Sequence, residues 1–120
     1  LHAEAPEPQV EAAASPSLWG RVRRMFARDE RLHHLNWAIS VYPNVAANYV
    51  LRGELLYQMG DALGAVEDFR RALELAAEQV EVEDWGVVAQ ALQDRALVGL
   101  RDALNAQARY NSQTDNKAAQ

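Results

Sequence analysis

The chain contains no cysteine, which excludes disulfides, thiolate metal sites and a cysteine nucleophile. That absence leaves the compartment open, because reducing and oxidising surroundings both tolerate a thiol-free protein. Lysine occurs once and histidine three times, so there is little material for a general base or a metal cage. No Gly-rich phosphate loop, paired-histidine metal motif or nucleophile elbow is present. The nearest approach is Glu30-Arg31-Leu32-His33-His34, in which Glu30 and His33 have the Glu-x-x-His spacing of helical di-iron sites but lack a second copy. Neither catalysis nor a cofactor is therefore expected. Long hydrophobic runs are missing too, and nothing approaches the ~18 uninterrupted apolar residues that a bilayer crossing needs.

What remains is a 120-residue, 13.4 kDa chain with 49% apolar and 24% charged residues and a mean hydropathy of -0.33, which describes one small globular domain. A net charge of -5 argues against wholesale nucleic-acid binding. Residues 1–14, rich in Pro, Glu and Ala without a helical stripe, are expected to form a flexible linker. Residues 111–120 are polar and aperiodic and are expected to fray as a disordered tail, leaving 15–110 as the folded part.

Within 15–110 no period-two alternation occurs, whereas helical spacing recurs throughout, which predicts an all-α fold. Ser15 and Pro16 are placed to open a first helix whose residues Leu18, Trp19, Val22, Met25 and Phe26 share one face. A second helix is expected near Glu30 to Tyr42, with Leu32, Leu35 and Ile39 on its stripe, ended by Pro43. Asn44 is placed to cap a third, running to about Met59 with Val50, Leu51 and Leu55 inward, and Gly60 supplies a left-handed stop. Asp61 caps a fourth, with Leu63, Val66, Phe69, Leu73 and Ala76 as its stripe. The acidic stretch after Ala77 reads as a connection, and a long last helix starts near Asp84 and carries Trp85, Val88, Leu92, Ala96 and Leu100.

Displacing the sequence by 34 residues superimposes Leu35 on Phe69, Ala38 on Ala72 and Ile39 on Leu73, the sign of stacked helix pairs. Tyr49, Gly53, Gly60-Asp61, Ala65, Phe69 and Ala72 make residues 46–79 resemble a tetratricopeptide repeat, with a degenerate unit before it. Three positions depart from that pattern: Arg52 stands for a leucine, Leu56 for a tyrosine and Ala77 for the closing proline. The resemblance implies antiparallel helix hairpins with the long C-terminal helix as a cap. It also implies a non-catalytic adaptor or scaffold module for protein–protein interaction, acting as a subunit of a larger assembly. On that reading Ala47, Val50, Glu54, Tyr57 and Gln58 face a groove for a partner peptide or helix of mixed apolar or basic character. Trp37 is a further interface candidate because it projects away from the Leu32/Leu35/Ile39 stripe.

An alternative comes from the first helix itself. Arg21, Arg23, Arg24, Arg28 and Arg31 beside its apolar face form a basic patch suited to an anionic membrane surface, which would make the protein a membrane-peripheral or membrane-tethered assembly factor. The simpler expectation is that this face packs on the second helix as a hairpin. A homo-oligomer is compatible with either reading, and the sequence does not fix the compartment, the cytoplasm being the expectation on the first reading and a membrane surface on the second.

Overall fold

A computed structural model describes residues 16–79 and 86–119. These form four helices, α1 (Pro16–Val41), α2 (Ala46–Gln58), α3 (Ala62–Gln79) and α4 (Gly86–Ala118), with no strand among the described residues. The fold is all-α with a long C-terminal helix, as the periodicity predicts. The Ser15 cap, the 1–14 linker, the acidic connection after Gln79 and Trp85 lie outside the described residues.

Two expected helices prove to be one. The span from Ala27 to Leu32 contains neither Gly nor Pro, and Asp29-Glu30 does not interrupt a backbone that every neighbour favours as helix, so α1 runs unbroken for 26 residues. Among the described residues there is consequently no hairpin before residue 42, and the expected packing of a first helix on a second within α1 does not occur. The chain divides into two compact units, residues 1–31 and 32–120. In the first, Leu18, Trp19, Met25 and Phe26 are all exposed, Phe26 at 70%.

The second unit is built around the α2–α3 hairpin. Its turn follows from two residues. Gly60 takes φ +88°, and the bonds Gly60 N–H to Tyr57 O (3.1 Å) and Asp61 N–H to Leu56 O (2.9 Å) close the end of α2 in a Schellman arrangement. The Asp61 carboxylate then accepts from the Gly64 N–H at 2.9 Å and caps α3. The start of α2 differs from expectation. The residue that flanks it is Val45, which has no side-chain acceptor, so Asn44 does not cap this helix and the bend after Pro43 sets its start. That bend is held by the Tyr49 hydroxyl, which donates to the Pro43 carbonyl at 2.7 Å.

Val50, Phe69, Ala65, Ala72, Ala96 and Ala103 are at most 1% exposed and lie in one core to which Ile39 of α1 and Leu92 and Leu100 of α4 add. α4 packs along both helices of the hairpin, most extensively along α3. Alanine faces allow helix axes to approach closely, leaving Phe69 as the largest fully buried side chain. Leu51, Leu63 and Val88, expected on inward stripes, are exposed. The tail differs as well. The apolar period ends near Ala103, yet the helix continues to Ala118 with exposed residues of adequate helix propensity.

Candidate functional site

A groove of about 810 Å³ opens between α2 and α4. Glu54, Tyr57 and Gln58 line it from α2, while Asp94, Arg95 and Val98 line it from α4. Phe69 and Gly99 line its floor. A Cβ on Gly53 would stand 2.9 Å from the Phe69 ring, and one on Gly99 would overlap the same ring. Both helices therefore lie against one aromatic ring, and the missing side chains make the depression deep enough to reach it.

The rim is polar. Arg95 donates from Nε and Nη2 to the Glu54 carboxylate, both at 2.7 Å, a two-pronged bridge from α4 to α2. The hydrogen bond to Glu54, and after it the Coulombic attraction of the same carboxylate, raises the Arg95 guanidinium above the ordinary arginine value. Asp94 and Asp102 add two further carboxylates, the latter beside Arg101 at 3.1 Å. The lining thus holds three acids against one base, and Tyr57 and Val98, 38% and 50% exposed, supply its accessible apolar surface.

The residues expected to face a partner fall into three groups. Glu54, Tyr57 and Gln58, which the resemblance puts on a partner-facing surface, line the α2–α4 groove. Val50 does not: at 1% exposure it is core, because Phe69 and the alanines of α3 and α4 close over that part of α2, and Ala47 is half-buried outside the lining. Trp37, 61% exposed on α1, lies apart from the groove. Arg21, Arg23, Arg24, Arg28 and Arg31 all occupy α1, with Arg28 half-buried and the others exposed. His33 and His34 stack at 6.3 Å in a tilted arrangement and are exposed. No group of three His, Asp or Glu side chains converges on a common point among the described residues.

Behind the groove lies an arrangement that the sequence reading did not anticipate. Arg52, standing where the resemblance would place a leucine, donates through Nε and Nη2 to both oxygens of Asp68 at 2.7 Å and through Nη1 to Asn36 Oδ1 at 3.1 Å. It also stacks 5.7 Å from the Tyr49 ring centre. The hydrogen bond to Asp68 raises the Arg52 guanidinium against the opposing effect of burial. One side chain thereby ties α1, α2 and α3 together. The chain matches no family model, no curated protein and no solved structure.

Proposed function

We propose that this protein is a non-catalytic interaction module of tetratricopeptide-repeat type, an adaptor or scaffold subunit that receives a segment of another protein in the α2–α4 groove. The observation that carries this reading is the groove's chemistry. An exposed tyrosine and valine flank an acidic rim above an aromatic floor, which suits a segment with a few apolar side chains and net positive charge. A volume of 810 Å³ falls within the ~300–1,000 Å³ of ordinary ligand pockets. It admits side chains from one face of a helix or strand rather than a whole helix. Anisotropy of a labelled peptide of alternating Lys, Leu and Trp, set against an equally apolar peptide with Glu for Lys, tests the reading. The basic peptide binds and the acidic one does not, and Tyr57→Ala or Glu54→Arg weakens binding. Equal affinity for both peptides, or indifference to both substitutions, removes the groove from the account.

A second reading places α1 on an anionic lipid surface. The exposure of Leu18, Trp19, Met25 and Phe26 beside the arginines of residues 21–31 supports it, since such a face can enter the headgroup region while the guanidinium groups remain at its level. No helix among the described residues is long and apolar enough to cross a membrane. Flotation with phosphatidylserine vesicles at low salt decides this reading, which fails if Arg21→Glu with Arg24→Glu leaves flotation unchanged.

A further inference from the structure

Charge along this chain is segregated. Residues 16–31 hold five arginines against Asp29 and Glu30, a net charge of +3, whereas residues 1–15 hold three glutamates and no basic residue besides His2, and residues 32–120 hold twelve acids against seven Lys and Arg, a net charge of -5. The exposed apolar side chains of 16–31 are large and clustered, with Trp19 and Phe26 seven residues apart, two helical turns or ~10 Å. The groove offers the converse, the carboxylates of Glu54, Asp94 and Asp102 around Tyr57 and Val98, with Arg95 on Glu54 and Arg101 on Asp102.

We infer that a second copy of this chain is a partner for the groove: the α1 segment 16–31 of one copy docks between α2 and α4 of another. This rests on the groove reading above and names its occupant. Trp19 and Phe26 supply apolar side chains for the Tyr57 and Val98 surface, and Arg21 and Arg24 supply cations for the Asp94 and Asp102 rim. The same balance distinguishes this occupant from lipid. An anionic bilayer attracts residues 16–31 but repels the acidic remainder of the chain, whereas a second copy presents to α1 the acidic surface that it complements. Because the two surfaces differ, the contact is heterologous. Each copy keeps one groove and one helix unused, so association continues into a ring or an open chain.

Sedimentation velocity and native mass spectrometry of the full chain test this with two variants, each first checked for wild-type helicity by circular dichroism. The helix variant combines Trp19→Ser, Arg21→Glu and Arg24→Glu, and the groove variant combines Tyr57→Ala with Asp94→Arg. The expected result is wild-type protein that grows in mass with concentration at low salt and reverts at high salt. Each variant alone should lose about tenfold or more in association constant. An equimolar mixture of the two should form a terminated heterodimer, because one variant contributes an intact groove and the other an intact α1. A wild-type protein that is monomeric at every concentration, a helix variant that still associates, or a mixture that does not pair overturns the proposal. Monomeric protein that floats with phosphatidylserine vesicles through Arg21 and Arg24 also overturns it and assigns the face to lipid. If copies stay apart while the Lys/Leu/Trp peptide still binds, self-docking fails and the groove reading stands; if neither binds, both fail.

Discussion

Gly99 and Phe69 are bound by a steric requirement: the ring of Phe69 on α3 occupies the space that a β-carbon on Gly99 of α4 would need. This contact brings α4 onto the hairpin and sets the depth of the groove. Gly99→Ala accordingly has two opposed effects, a gain of up to ~1 kcal/mol in helix propensity and an overpacking cost of ~1–3 kcal/mol. The cost prevails because Gly53 of α2 lies against the same ring and limits its retreat. Urea unfolding should show a net loss of ~1–2 kcal/mol. Gly20→Ala, where the nearest atom is the flexible end of Arg24 at 3.8 Å, should be neutral or stabilising in the same assay.

Phe69→Ala removes the largest buried side chain and should cost ~3–5 kcal/mol. Leucine at 69 restores part of that volume and should recover a measurable share in the same unfolding experiment. If alanine and leucine lose equally, the ring is not the packing element that it is taken to be here.

Arg52 and Asp68 should behave as a unit. Asp68 is only 4% exposed, so Arg52→Ala leaves its carboxylate short of a partner in a place water barely reaches, at a cost of ~2–4 kcal/mol. The double substitution of Arg52→Ala with Asp68→Ala should cost less than the sum of the two single changes, and a double-mutant cycle measures the difference. The pH dependence has a definite sign. A guanidinium whose value is raised on folding contributes fully below its unfolded value and loses that contribution only as pH rises through the folded one. Between neutral and mildly alkaline pH the arginine side of this link should therefore be constant.

Gly60→Ala forces a β-carbon into the left-handed region at φ +88° and should cost ~1–2 kcal/mol. Asp61→Ala, which removes the acceptor for the Gly64 N–H, should cost ~1 kcal/mol. The exposed Arg95 and Glu54 link should contribute ~0.2–1 kcal/mol, so Arg95→Ala leaves the unfolding midpoint nearly unchanged. Its effect belongs to the groove, where losing the one cation should strengthen binding of a basic peptide.

The hairpin was legible because its signals are local. Gly60 needs positive φ, Asp61 offers a carboxylate at the right offset, and Gly53, Ala65 and Phe69 recur at the spacing that helix pairs use. The elements not read correctly depend on partners distant in sequence or on a missing break. Nothing local stops α1 at Arg28, and an expected hairpin supplied the boundary where the chain has neither Gly nor Pro. Gly99 has no meaning until Phe69 is placed beside it. The Arg52 and Asp68 link did leave a trace: an acid three residues after Ala65 and four before Ala72 lies on the buried stripe of α3, and an arginine beside Gly53 lies on the facing stripe of α2. Charges on two facing apolar stripes imply a pair. Within the site, Glu54, Tyr57 and Gln58 line the α2–α4 groove, whereas Val50 lies in the core with Phe69 and the alanines of α3 and α4, as its place on the inward side of α2 implies.

The central claim, that the α2–α4 groove is a recognition surface for a basic apolar segment, is tested most directly by following backbone amide resonances of the full chain during titration with the Lys/Leu/Trp peptide. The account predicts saturable shifts concentrated at Tyr57, Asp94, Val98 and Gly99, with residues 111–118 of α4 unmoved. Saturable shifts that avoid those four residues, or no shifts at millimolar peptide, would contradict it.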